Sequence, residues 1–315
     1  MKKISFVIPC YRSEHTIERV VQEIHQTMQD SLKKYCYEIV LISDHSPDNV
    51  YTVIKNLAAE DKRIKGICLA KNFGQHSALM AGYHYCSGDY VISLDDDGQT
   101  PINTAPAFIK KLEEGYDAVF ASYPKKKESP FRLLGSWVNS EMAKILIGKP
   151  KDLELNSYYA AKKYVIEEMT RYTHAYPYIA GLVLRTTKNI TNVAVDHRDR
   201  TEGTSGYTMK KLLSMWLNGF TAFSVLPLRI ASVIGLVVFL FSIVYGIYTV
   251  INRFMNPGVP VGYSALMTVI LCIGGLLMLI LGLIGEYIGR IYICINQSPQ
   301  YVIQEETDDN KEDFI

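Results

Sequence analysis

The sequence predicts an α/β domain on a mostly parallel sheet, followed by a surface helix and a two-helix membrane hairpin. Three observations carry this. Short β-branched and apolar runs alternate with amphipathic stretches from Ile4 to Leu94, the pattern of strands joined by crossover helices. Polar segments follow each of these strands, where ligands of such sheets bind. Near the other end, Ile230 to Ile251 and Ser264 to Gly285 carry no charged residue, and each is long enough to cross a bilayer.

The elements follow in order. Ile4 to Ile8, Glu38 to Ile42, Ile64 to Leu69 and Tyr90 to Leu94 are β-branched, apolar runs and predict buried strands. Helices are expected from Glu14 to Gln29, Asp48 to Ala59 and Gln75 to Cys86, with another starting at Thr100-Pro101. Phe131 to Ile147 predicts a helix, and Tyr178 to Leu184 and Asn192 to His197 predict strands. Tyr207 to Phe223 has apolar residues at helical spacing beside Lys210 and Lys211, which suits a helix lying on a membrane surface. The tail from Glu305 is acidic and expected to be disordered. The expected domains are residues 1–206, an interfacial helix over 207–225, a hairpin over 226–290 with spans near 228–251 and 264–287, and a tail over 291–315.

Composition sets limits. The 315 residues carry a formal charge of +1, so nothing points to nucleic acid as a partner. Six cysteines are scattered without a C-x-x-C spacing, which fits reduced packing residues rather than disulfides or zinc. The apolar N-terminal run stops at Pro9 with no small-residue cleavage site, so it reads as the first strand, not a signal peptide. Lys210, Lys211, Arg229 and Arg290 flank the outer ends of the hairpin, whereas Arg253 is the only basic residue of its connector. That bias places the N-terminal domain and the tail in the cytoplasm, with a multi-pass anchor in the cytoplasmic (inner) membrane. Gly282, Gly285 and Gly289 share one helical face, a surface for close helix packing and self-association.

The residues after the strands carry the chemistry. Asp95, Asp96 and Asp97 follow the fourth strand directly. Adjacent carboxylates repel unless a cation sits among them. In an extended segment Asp95 and Asp97 fall on one side and Asp96 on the other. The pair suits Mg²⁺ or Mn²⁺, which take one or two carboxylates plus substrate phosphates. After the first strand comes P-C-Y-R-S-E and after the second S-D-H-S-P-D-N. Neither is a G-x-G-x-x-G, which argues against a dinucleotide. Asp44 can accept an N–H from a pyrimidine base with Tyr11 stacked nearby, while Asp48 caps the next helix. After the third strand, Lys71, Asn72, Gln75 and His76 stand at a helix N-terminus, an anion-facing cluster.

Together P-C-Y-R-S-E, S-D-H-S-P-D, K-N-F-G-Q-H-S-A-L-M-A-G and D-D-D-G-Q-T-P resemble the family 2 glycosyltransferases, in particular their polyprenyl-phosphate branch. R-T-E-G-T-S-G-Y-T (200–208) resembles that branch's R-x-x-G-x-S-x-Y segment, and L-I-G-E-Y-I-G-R-I-Y (283–292) its second membrane helix. The Q-x-x-R-W motif of processive polysaccharide synthases is absent.

The resemblance implies a GT-A-type, Rossmann-like nucleotide-sugar-binding domain and an inverting transfer of one sugar from a nucleotide diphosphate, a UDP-sugar in particular. The acceptor it implies is polyprenyl (undecaprenyl) phosphate at the cytoplasmic face, for cell-envelope glycan synthesis or modification. Matched by position, Pro9, Tyr11, Glu14 and Asp44 surround the base, Asp95 and Asp97 hold the metal, and Asp96 joins the substrate-facing set. Arg200, Ser205 and Tyr207 close over phosphates, a task that arginine and hydroxyl donors suit. Homo-oligomeric relatives imply a homo-oligomer.

Two departures stand out. Ser43-Asp44-His45-Ser46-Pro47-Asp48 replaces the family's D-D-G-S-x-D. At K-D-L-E-L-N-S (151–157), Leu153 falls where relatives present a catalytic Asp, between Asp152 and Glu154. Asp152, Glu154 and Arg200 are therefore the catalytic candidates. An enzyme of the same fold with a sugar or glycolipid hydroxyl acceptor, or a catalytically silent membrane scaffold, remains as an alternative.

Overall fold

A computed structural model describes residues 1–123, 150, 153–196, 262–296 and 298–307, with isolated positions between 231 and 255. The expected helices at Phe131 to Ile147 and Tyr207 to Phe223 lie outside the described residues, as do Asp152, Arg200, Ser205 and Tyr207.

The chain divides into two units, Met1–Tyr207 with Gln297–Ile315, and Thr208–Asn296. The first is built on strands β1 (Lys3–Cys10), β2 (Cys36–Ser43), β3 (Ile64–Leu69), β4 (Tyr90–Ser93), β5 (Ala118–Ser122), β6 (Tyr159–Lys162), β7 (Ile190–Ala194) and β8 (Ile303–Glu306). They form one eight-stranded sheet in the order β7-β5-β6-β4-β1-β2-β3-β8. The centre, β4-β1-β2-β3, is parallel. β6 runs antiparallel to both β4 and β5, and β8 antiparallel to β3.

The central strands read as unbroken apolar runs because both faces are covered. Ile4, Phe6, Ile8, Ile39 and Leu41 face one layer, packed with Val20, Val21, Ile24 and Met28 of α1 (Ile17–Ser31). That layer also takes Val50 and Ile54 of α2 (Val50–Glu60) and Phe108, Ile109 and Leu112 of α4 (Ala105–Glu113). The alternate residues face α3 (Gln75–Tyr85), which lies against the sheet at Gly82. A Cβ there would stand 2.5 Å from Val7 Cγ1 and 2.6 Å from Ile42 Cδ1, so this approach needs glycine. Each wholly buried Ile, Leu or Phe contributes about 1.5–3 kcal/mol.

Two expectations are corrected. Tyr178 to Leu184 is not a strand: Ile179–Thr186 is a helix, α6, that buries Ile179, Leu182 and Val183 at helical spacing. A short β-branched run does not distinguish the two by itself. The tail is not disordered through Glu306. Ile303–Glu306 pairs with β3, with Ala70 N–H bonded to the Val302 carbonyl and Thr307 N–H to that of Gly66. An open edge of unpaired backbone groups on β3 is thereby covered. The strand near Asn192 is present, as Ile190–Ala194. α5 (Lys163–Thr170) completes the described helices of this unit.

At the amino ends of the strands, Glu38 is buried and accepts from Ser5 Oγ at 2.6 Å, Ser87 N–H at 2.6 Å and Lys3 Nζ at 2.7 Å, with Lys65 Nζ at 3.3 Å. Burial pushes its carboxyl up, but these donors outweigh it and hold it at about 2, below the ordinary 4.5. A carboxylate depressed on folding contributes stability that is complete above its unfolded value and lost as pH falls through the folded one. This contribution therefore fades from about pH 4.5 to about 2. Glu38→Ala is expected to cost about 2–3 kcal/mol in urea unfolding at neutral pH, less than the roughly 3–5 of a fully enclosed pair. The discount arises because Lys3 and Lys65 stay about a third exposed. The difference from wild type should shrink by pH 3.

In the second unit, α7 (Tyr263–Ile295) is a 33-residue helix. Ile273–Ile293 has a mean hydropathy of 1.8 and is long and apolar enough to cross a membrane. The described positions between 231 and 255 are helical.

Candidate active site

Four loops meet at the carboxyl ends of β1 to β4, and hydrogen bonds lace them together. Tyr11 N–H donates to Asp96 Oδ2 at 2.8 Å, Arg12 N–H to Ser46 Oγ at 2.8 Å, and Glu14 N–H to Asp48 Oδ2 at 3.0 Å. In return Asn49 N–H donates to Glu14 Oε2 at 2.8 Å. Asp48 Oδ1 accepts from Val50 N–H at 3.4 Å, at the start of α2. Arg12 and His45 hold left-handed backbone, with φ of 59° and 49°. Such strain in side-chain-bearing residues gathers at functional sites.

Asp44 is buried, and its two oxygens accept from the N–H groups of Phe73 at 2.7 Å and Gly74 at 2.8 Å. Burial raises its carboxyl against the pull of these donors. Gly74 has φ +89°, which favours glycine and turns the chain into α3. Pro9 is buried inside β1 opposite Ile42, beneath the loop. Tyr11 presents an exposed ring, with the Arg12 guanidinium 5.6 Å from its centroid.

The acidic loop is held from three sides. Gln75 Nε2 donates to Asp95 Oδ1 at 2.8 Å and Ser157 Oγ to Asp95 Oδ2 at 2.5 Å. Thr16 Oγ1 donates to the Asp96 carbonyl at 2.6 Å, and Gln99 N–H to Asp97 Oδ1 at 3.0 Å. Asp96 faces the β1 loop while Asp95 faces α3, the expected divergence of neighbouring carboxylates. Burial first, then the charge of Asp95, raises the Asp96 carboxyl to about 6, against the N–H donated by Tyr11. Burial, joined by the charges of both Asp95 and Asp97, raises the Tyr123 hydroxyl to about 12. No group of three or more His, Cys, Asp or Glu forms a metal cage among the described residues. Mg²⁺ and Mn²⁺ need none when substrate phosphates complete the shell, so two carboxylates on one short loop fit such an ion.

The anion-facing cluster is narrower than expected. Lys71 and Asn72 are exposed, with the Lys71 ammonium 5.0 Å from the Phe73 ring centroid. Gln75 is turned onto Asp95, as above. His76 meets Tyr178 edge-on at 5.6 Å, and its enclosed Nδ1 has no hydrogen-bond partner among the described residues. Burial lowers it to about 4, so the imidazole is neutral at physiological pH.

On the far side, Leu153 is buried and cannot act as a base. Glu154 is half-buried, and its backbone is pinned by Asn192, which accepts from its N–H at 2.9 Å and donates to its carbonyl at 2.8 Å. Asn156 Nδ2 donates to the Ala121 carbonyl at 2.6 Å. Ser157 ends the K-D-L-E-L-N-S segment, which the sequence singles out for its carboxylates, and only the folded chain brings its hydroxyl to Asp95.

Comparison with known proteins bears on the family and the fold. Residues 5–169 match the model of glycosyl transferase family 2, and residues 226–291 match that of the GtrB C-terminal hairpin. An undecaprenyl-phosphate 4-deoxy-4-formamido-L-arabinose transferase from Shewanella sediminis is 32% identical over 96% of this chain and 92% of its own length. A putative glycosyltransferase, CsbB, from Bacillus subtilis is 32% identical over 98% and 93%. Among solved structures, glucosyl-3-phosphoglycerate synthase from Mycobacterium tuberculosis, in complex with Mn²⁺, uridine diphosphate and phosphoglyceric acid, superposes with a TM-score of 0.51 at 19% identity. That match covers 68% of this chain and 74% of the other, and it bears on the fold alone. A family match over half the chain, near full-length relatives and the same α/β fold lead to one conclusion: this chain is a member of glycosyl transferase family 2.

Proposed function

We propose that the protein transfers one sugar, with inversion, from a nucleotide-diphosphate donor to undecaprenyl phosphate at the cytoplasmic face of the membrane. The observation that carries this is the Shewanella relative, named for undecaprenyl phosphate and matched over 96% of the chain. The Asp95 and Asp97 loop at the carboxyl end of the sheet supports it. Tyr11, Glu14 and Asp44 line the base, and Lys71 with Asn72 faces the diphosphate. Asp95 and Asp97 would hold Mg²⁺ or Mn²⁺, which would supply charge to neutralise the diphosphate leaving group. Arg200, Ser205 and Tyr207 hold the acceptor phosphate. A phosphate oxygen bonds to the anomeric carbon from the face opposite the breaking bond to the diphosphate, and the nucleoside diphosphate leaves with that electron pair. A phosphate monoester has a second pKa near about 6 and is largely dianionic at pH 7, so its oxygen attacks without a base.

Membranes carrying the full chain, given a panel of nucleotide sugars and undecaprenyl phosphate, should form a lipid-linked sugar from at least one donor. Product only with sugar-hydroxyl acceptors would overturn this reading.

The hairpin family match and the apolar α7 support two spans, and the basic residues flanking the hairpin favour both termini in the cytoplasm. A reporter fused after Ile315 should be active there, and activity only outside would refute the topology. Gly282, Gly285 and Gly289 share one helical face, and among the described residues a Cβ at any of them would meet nothing within 4 Å, which is compatible with close packing against a second copy. Crosslinking before and after Gly285→Leu tests the homo-oligomer.

A further inference from the structure

We infer that Ser157 is a positioning residue that fixes the Asp95 carboxylate for the divalent cation; this rests on the proposed function. Both oxygens of Asp95 are engaged, Oδ1 by Gln75 at 2.8 Å and Oδ2 by Ser157 at 2.5 Å. The two donors come from different parts of the fold, α3 and the segment leading into β6. The two bonds hold the carboxylate at both oxygens and fix its orientation.

The serine is itself rigidly placed. Asn192 of β7 grips the Glu154 backbone on both sides, and Asn156 is bonded to the Ala121 carbonyl in β5. The Ser157 hydroxyl therefore reaches Asp95 from a stretch bolted to two strands, although the side chain is exposed. A ligand carboxylate oriented by a second, fixed hydrogen bond binds its metal more tightly, and losing such a partner typically costs about 10–100-fold in affinity.

The test uses the purified full chain with UDP present and reads Mn²⁺ binding by the loss of the free-ion electron paramagnetic resonance signal. Ser157→Ala should weaken Mn²⁺ binding about 10–100-fold, and Ser157→Thr, which keeps the hydroxyl, should stay near wild type. Because the side chain is exposed, the thermal midpoint should match wild type, which separates orientation from folding. If wild type binds Mn²⁺ and Ser157→Ala binds it equally well, the inference is wrong and the metal assignment stands. If Ser157→Ala leaves Mn²⁺ binding intact and changes only the KM for undecaprenyl phosphate, Ser157 serves the acceptor instead and the inference also fails. If wild type with UDP takes up no Mn²⁺, the metal assignment itself falls, and the role of Ser157 with it.

Discussion

Asp97→Ala should slow lipid-linked sugar formation by on the order of 10³-fold while leaving the protein folded and in the membrane. The size follows from what is lost. Charge that develops on the departing diphosphate is normally met by a fixed, preorganised centre, and removing one member of such a centre costs roughly 10²–10³ in rate. Here the centre has only two carboxylates on one loop, so the loss should sit at the upper end. Folding should survive, because Asp97 is half-exposed and sits on a loop where it accepts a local bond from Gln99 N–H at 3.0 Å. Initial rates with saturating donor and acceptor, with thermal unfolding alongside, are the measurement. Wild-type turnover after chelation, or from Asp97→Ala, would remove the metal from the mechanism.

The second large effect separates a phosphate acceptor from a hydroxyl. A hydroxyl must lose its proton as it attacks and needs a positioned base, whose loss costs roughly 10²–10⁴-fold. A dianionic phosphate needs charge compensation instead. Glu154→Gln and Asp152→Asn should each cost less than about 10²-fold in initial rate. Arg200→Ala should cost about 10²–10³-fold, because an arginine clamp on phosphate is a transition-state contact. The buried Leu153 sharpens the comparison, since it removes the aligned position itself as a base. Collapse of either carboxylate variant with Arg200→Ala near normal would favour a base-dependent hydroxyl acceptor.

The legible parts of the fold share one physical property. β1 to β4 are covered on both faces, so burial is written as unbroken apolar runs, and the loops after them carry Gly, Pro and Asp. β5 and β6, A-V-F-A-S and Y-A-A-K, are short and alanine-rich, and they become strands only because a sheet edge is offered to them. The α6 run I-A-G-L-V-L has β-branched composition at helical spacing, and packing decided between the two. In the site, Asp95 and Asp97 announce themselves by charge density. Asp44 was expected to meet a base, and its backbone donors, Phe73 and Gly74, lie 29 and 30 residues away. A lone serine at 157 carries no such mark, because its meaning is a contact 62 residues off.

The position of β8 has a consequence for biogenesis. Its partner β3 lies some 240 residues earlier, as the Gly66–Thr307 bond with a separation of 241 shows. Gln300 adds bonds from its amide to the carbonyls of Tyr172 at 3.1 Å and His174 at 2.9 Å. The last strand therefore leaves the ribosome after α7. The nascent catalytic unit spends the whole synthesis of the apolar segments with one edge of its sheet unpaired, a state prone to wrong pairing. Long-range closure of this kind is also the slow step of sheet folding. Completion of the sugar-transferring unit is thus timed to follow the making of the apolar α7.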